Sequence, residues 1–214
     1  MHSYATNARD REEVAIIIAV VAVMATLALG YLNTTLQLQI PWWVDTPSVM
    51  GFYGLFYKLY DTLLWRFKFG FIKLSSIPHV SGTWYGVVKS SYSEKLETPL
   101  VICIHQTWTR ISIRAETANS RSFSTMAALN TDESPECGLK YEYLNEPSTF
   151  VVDTLHSHRG DAHLRISSNG DELAGDYFTG RGRRNIGEIR VRKIERKILS
   201  KDEAFKRGTV LSTN

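Results

Sequence analysis

Only two cysteines, Cys103 and Cys137, occur in the 214 residues. They are too few for a disulfide framework or a four-thiolate zinc site, and free thiols are expected of them. No Gly-x-Ser-x-Gly elbow, Walker A loop or Gly-x-Gly-x-x-Gly fingerprint is present, so hydrolase, P-loop and dinucleotide-fold chemistry have no sequence support. Six histidines are present, and His156 and His158 fall on one strand face with His163 on the other. Without a nearby cysteine they make no convergent metal set, and neither a metal nor an enzyme activity is expected. The formal charge of +3 with 22% charged residues is ordinary, and it calls for no DNA or RNA partner. Internal repeats and low-complexity tracts are also missing.

The most informative absence is of charge. From Val14 to Leu32 there is no charged side chain, over about the 20 residues that cross a hydrocarbon core. A cleaved signal peptide is the alternative, but the flank Arg9-Asp10-Arg11-Glu12-Glu13 carries both signs and the run exceeds a usual h-region. A second apolar, aromatic stretch runs from Ser48 to about Phe71, interrupted by Lys58 and Asp61, which fall on one helical face. A core or interfacial helix is the alternative to a second span. As intramembrane ionisable residues, Lys58 and Asp61 are candidates for a protomer contact or a pore lining. Residues 33–47 hold no Lys or Arg, while Trp42 and Trp43 sit there as interfacial aromatics; Arg9 and Arg11 precede the first span, and Arg66, Lys68 and Lys73 follow the second. The positive-inside rule therefore predicts two spans, about 14–32 and 48–71, with both termini and everything after residue 75 in the cytoplasm.

The second half reads differently. Ile77-Pro78-His79-Val80-Ser81-Gly82-Thr83-Trp84-Tyr85-Gly86 stops a helix with Pro and Gly and opens a strand pattern. About eight strand-like runs follow, at 83–91, 100–106, 109–116, 121–130, 138–144, 158–167, 173–179 and 187–194, with period-2 alternation such as Ile102-Cys103-Ile104-His105-Gln106. Asn145-Glu146-Pro147-Ser148 reads as a turn, and Asn169-Gly170-Asp171 as a hairpin turn. No amphipathic helical pattern of about 12 residues interrupts them, which argues against a parallel sheet. The expected domains are thus 1–75, a transmembrane helical hairpin; 76–195, a small eight-stranded antiparallel β-barrel with an open sandwich as the alternative; and 196–214, a basic tail, helical or near anionic lipid.

Gly175 to Asn185 joins an aromatic strand end to a Gly-rich turn carrying Arg181, Arg183 and Arg184. Guanidinium groups pair bidentately with phosphate and stack on rings, and Tyr177 or Phe178 offers a stacking face. A solvated basic hairpin is the plainer reading. Tyr85, Trp108, Arg110, Tyr141 and Thr179 complete the candidate ligand-binding set, with Trp108 either capping the mouth or covering a hairpin. Gly82-Thr83-Trp84 resembles the opening of lipocalin-like barrels, in which the Trp packs across the closed end against an Arg of the last strand, here Arg190 or Arg192. Pro78, Gly82 and Trp84 are accordingly expected to be structural.

Two spans ahead of Ile77-Pro78-His79-Val80-Ser81-Gly82-Thr83-Trp84-Tyr85-Gly86, then Gln106-Thr107-Trp108, Leu173-Ala174-Gly175-Asp176-Tyr177 and Gly187, together resemble the two-transmembrane β-barrel effectors of CBASS antiphage defence. The resemblance spans about residues 14–195. It implies a bacterial inner-membrane protein whose barrel binds a cyclic dinucleotide made by a partner nucleotidyltransferase. It further implies homo-oligomerisation, membrane disruption and cell death. Restraint by a host cyclic nucleotide, released on its depletion, is the opposite sign of the same coupling. A lipid or other apolar ligand is the alternative outside the family.

Overall fold

The computed structural model describes residues 1–37, 48–69, 72–91, 93–131, 137–148, 157–180 and 185–212, with 68, 69, 72, 93–96 and 212 described by backbone alone. The chain forms two compact units, Ala8–Ser76 and Met1–Asn7 together with Ile77–Asn214.

The first unit opens with helix α1, Asp10–Leu36. Asp10, Glu12 and Glu13 lie in its first turn, where carboxylates complement the helix dipole; Gln37, in the left-handed conformation, closes its far end. Ile18 and Ala22 are buried, while Ile16, Ile17, Val20 and Leu27 are each more than half exposed. An 18-residue window of α1 has a mean hydropathy of 2.6, and a helix of this length spans about 40 Å, more than the roughly 30 Å of a bilayer core.

Helix α2, Ser48–Thr62, packs on α1. It stops well before Phe71, the expected end of a second span. Leu64–Arg66 forms a 3-10 turn, and the short strands β2, Lys68–Phe69, and β3, Ile72–Lys73, make a hairpin. The Tyr60 hydroxyl donates to the Leu74 carbonyl, so the chain folds back along α2. Fifteen residues of helix rise only about 22 Å. Among the described helices, α1 alone is long and apolar enough to cross a bilayer. Lys58 is exposed and Asp61 buried, so the two residues do not share one environment. The Asp10 carboxylate accepts from Ser75 Oγ at 2.6 Å, Ser76 Oγ at 2.6 Å and Ser76 N–H at 2.7 Å, fastening the start of α1 to the end of the unit.

The second unit is a closed antiparallel barrel. Its eight strands are β4, Gly82–Ser90; β5, Ser93–Gln106; β6, Arg110–Glu116; β7, Ser120–Asn130; β8, Gly138–Pro147; β9, His158–Ile166; β10, Glu172–Thr179; and β11, Ile186–Glu195. Neighbours in sequence pair in turn, β11 pairs back to β4, and β6 pairs β7 to close the ring. β5 starts seven residues earlier than its apolar run. Pro99 is tolerated there because pairing with β6 begins only at Val101. β8 likewise runs through the expected turn to Pro147, carrying Asn145 on as a strand residue.

Alternation puts Trp84, Ile102, Ile104, Ile111, Ile113, Leu129, Leu139, Leu164, Leu173 and Val191 inside, each at most 2% exposed. Trp84 fills the closed end and donates its indole N–H to the Val80 carbonyl at 3.0 Å. The cation over its ring is Lys193, 4.6 Å from the ring centroid, in place of the expected Arg190 or Arg192. The register Trp84↔Lys193 explains the correction: odd positions of β11 face inward. Arg190 and Arg192 face outward beside Glu172. Gly82, at φ 136°, could not carry a side chain, since a Cβ would meet the Glu195 carbonyl at 2.6 Å. Gln106 pins the entry segment, donating to the Pro78 carbonyl and accepting from the Val80 N–H.

Two additions complete this unit. The chain start contributes β1, His2–Ser3, paired to β6. β6 and β7 pair directly only at Arg114–Glu116 with Arg121–Phe123, and the arm occupies the seam beyond. Ala5 exchanges backbone hydrogen bonds with Ala127 and Leu129, Tyr4 is buried and donates to the Trp108 carbonyl at 2.7 Å, and Asn7 accepts from Thr131 N–H. The basic tail is a helix, α3, Lys201–Ser212. Ala204 and Phe205 of α3 pack with Val101, Cys103 and Tyr85 on the outer wall. Thr83 Oγ1 holds the approach to it through Lys197 O and Leu199 N–H.

Candidate functional site

The barrel interior is not filled throughout. Its closed end, near the start of β4 and the β5–β6 turn, is apolar. The other end encloses a cavity of about 440 Å³, within the usual size range of small-ligand pockets. Its floor is Val88, Leu100, Ala115 and Ile189; its walls carry hydroxyls and amides from Ser120, Ser122, Asn145 and Asn185, and the rings of Tyr141, Tyr143, His158 and Tyr177.

Glycine makes room for two of those rings. Tyr177 lies against Gly187 of the neighbouring strand, where a Cβ would stand 2.5 Å from a ring carbon; Tyr143 lies over Gly160 in the same way. Tyr143 is tilted against Tyr141 at 6.1 Å and meets the His158 ring edge-on at 6.5 Å. Burial raises the phenol pKa of Tyr141; burial, then the neighbouring Tyr141, Tyr177 and Asp161, raise that of Tyr143. Both phenols therefore stay neutral at physiological pH. No Lys, Arg, Asp or Glu lines the cavity among the described residues. As described, the site is hydrogen-bonding and aromatic.

Of the residues singled out from sequence, Tyr141, Tyr177 and Thr179 come together in this cavity. The Thr179 hydroxyl bonds the backbone of Asn185, accepting from its N–H at 2.9 Å and donating to its carbonyl at 3.3 Å. Arg181, Arg183 and Arg184 lie outside the described residues, as do Trp42 and Trp43. Thr179 and Asn185, close on either side of residues 181–184 in the sequence, line the cavity.

Three candidates lie elsewhere. Tyr85 faces outward under α3, meeting Phe205 edge-on at 6.0 Å, because it alternates with the inward Trp84. Trp108 is buried at the closed end, under Tyr4 of the arm, and so does not cap the mouth. Arg110 is exposed at that same end, paired through its backbone with Ser3. Asn145, Ser122 and Tyr143 were not among the candidates. The alternation of Tyr141, Tyr143 and Asn145 with Lys140, Glu142, Leu144 and Glu146 carries the signal that would have found Tyr143 and Asn145; Ser122 follows only from register.

A closed barrel with an aromatic, hydrogen-bonding cavity, on a chain that also carries an apolar helix, defines a membrane-associated small-ligand receptor. Residues 75–193 match the family described as Cap15, cyclic dinucleotide receptor domain, and residues 12–66 match Cap15, TM helices. CD-NTase-associated protein 15 of Yersinia aleksiciae is 31% identical over 150 residues, 69% of this chain and 70% of the relative. The chain belongs to the Cap15 family of CBASS effectors. These are receptor and effector proteins rather than known enzymes, and the ligand class of the receptor domain is the cyclic dinucleotides.

Proposed function

We propose that the barrel is the sensor and the helical unit the output of a cyclic-dinucleotide-gated membrane effector. The observation that carries this reading is the tyrosine-walled cavity of about 440 Å³ inside the receptor domain. Its rings suit nucleobases, for which stacking contributes about 1–3 kcal/mol per base. Its hydroxyls and amides suit base edges and riboses better than an acyl chain. The cations a dianion needs come from Arg181, Arg183 and Arg184, whose near neighbours in sequence, Thr179 and Asn185, line the cavity.

A partner nucleotidyltransferase supplies the ligand after phage infection. Occupied barrels favour a self-associating state, by their differential affinity for it alone. α1 and α2 of several copies then disrupt the bacterial inner membrane and kill the cell. Both helices enter the bilayer from the cytoplasmic side in this scheme, supported by Arg9 and Arg11 before α1 and Arg66, Lys68 and Lys73 after α2. Asp61 and Lys58 belong to the output, not the sensor.

The test is dye release from liposomes bearing the full-length chain, with a panel of cyclic dinucleotides added. Release on addition of one or more panel members supports the reading. Leakage without ligand, suppressed by one of them, reverses its sign. Binding without any change in leakage contradicts the effector half.

A further inference from the structure

Asn145 is 7% exposed and lies opposite Ser122 across the β7–β8 ladder, both facing the cavity. Its Nδ2 donates to Ser122 Oγ at 2.8 Å. That bond fixes the amide plane and leaves Oδ1 buried without a hydrogen-bond partner in the protein. Among the described residues, it is the one such buried side-chain atom whose residue lines the cavity. Buried polar atoms in folded proteins are otherwise almost always satisfied, so a donor for this oxygen has to come from what the cavity holds.

We infer that the Asn145–Ser122 pair is a specificity element, reading an N–H-bearing edge of one nucleobase of the bound cyclic dinucleotide. This rests on the receptor reading above. The amide oxygen only accepts, and the Ser122 hydroxyl, already accepting from Nδ2, has its own proton to give. The pair thus presents an acceptor beside a donor, complementary to an N–H next to a ring nitrogen or carbonyl oxygen. A phosphate cannot satisfy Oδ1, because both only accept. Tyr143 precedes Asn145 by two residues on the same strand face, about 7 Å away, a spacing that lets a base stack on the ring and reach the amide with its edge.

The experiment is calorimetric titration of the full chain in detergent micelles with cyclic dinucleotides built from A, C, G and U. The tightest binder is then compared with two analogues, one with the edge N–H removed or methylated and one lacking the ribose 2′-hydroxyls. Wild type is expected to lose roughly 10–100-fold in affinity for the blocked-edge analogue, as for any buried polar group left unpaired. Asn145→Leu should bind the parent correspondingly more weakly and no longer distinguish it from the blocked analogue. Its unliganded melting temperature should equal or exceed that of wild type, since a buried unpartnered oxygen has been removed. If Asn145→Leu fails to fold, Ser122→Ala, which only frees the amide to turn, carries the test through blunted discrimination. Undiminished discrimination in the variants, or an Asn145-dependent loss confined to the 2′-deoxy analogue, overturns the inference while leaving the receptor reading intact. If no cyclic dinucleotide binds wild type, both fall together.

Discussion

At the closed end of the barrel, Trp84, Gln106 and Tyr4 each bond their polar atoms to the main chain, and the space between is packed with Ile and Leu. At the mouth, on the same strands and with the same alternation, Tyr143 and Tyr177 lie over glycines and leave a cavity between them. One end is packed shut and the other is left open as a cavity. The difference lies in which inward positions are large and aliphatic, and which are glycine, serine or tyrosine.

That contrast can be broken from the closed end first. Trp84→Ala should cost about 3–5 kcal/mol, as other fully buried aromatics do, and unfold much of the barrel in thermal or denaturant melts; a loss below about 1 kcal/mol would mean the closed end does not carry the fold. Removing Met1–Asn7 uncovers the β6–β7 seam and the pocket of Tyr4. Burial of one large side chain and a few net hydrogen bonds put the loss near 2–4 kcal/mol, read by urea melts and by faster amide exchange in β6 and β7.

The outer wall provides a comparison that should spare the ligand. A Cβ on Gly208 would clash with the Tyr85 ring, so Gly208→Val should lift α3, with a cost of about 1–3 kcal/mol. Limited proteolysis should then release the C-terminal segment while cyclic dinucleotide affinity stays at the wild-type value. A large loss of affinity would return Tyr85 to the binding surface.

Lys193 gives the smallest effect. Its cation–π contact with Trp84 is worth about 0.5–2 kcal/mol, and Lys193→Met should lose no more than that. Burial lowers the Lys193 pKa below its usual 10.5, with Asp171 opposing and Arg196 adding to the shift. Between the lowered value and 10.5 the unfolded chain binds a proton that the folded chain has released, so this group makes stability rise with pH there. That increment should be present in wild type and missing in Lys193→Met, as measured by denaturant titration across alkaline pH.

Much of the frame was legible from residue order. The uncharged run of α1, the alternating strands and the Asn169-Gly170-Asp171 turn each follow from local patterns. So does the inward set, once Trp84 is placed: counting in twos from it excludes Tyr85 and admits Gly86, Val88 and Ser90. What local pattern could not supply was cross-strand register. Lys193 instead of Arg192 over Trp84, Tyr177 on Gly187, and Ser122 facing Asn145 are all partnerships between strands, and a slip of one residue reverses them. The end of α2 was hidden because the aromatic composition runs on past Thr62, although the helix does not. The arm was hidden because a two-residue strand has no period to detect. Pro147 made Asn145 look like a turn, whereas β8 carries it into the cavity wall.

In the proposed receptor the ligand occupies the mouth and not the closed end. This placement is tested most directly by isothermal calorimetry of the full chain in detergent, comparing wild type, Tyr177→Ala and Arg110→Ala against the same cyclic dinucleotide panel. Wild type and Arg110→Ala should bind equally well, and Tyr177→Ala should lose about 1–3 kcal/mol of affinity with its melting temperature little changed. Full affinity in Tyr177→Ala together with a loss in Arg110→Ala would contradict the placement.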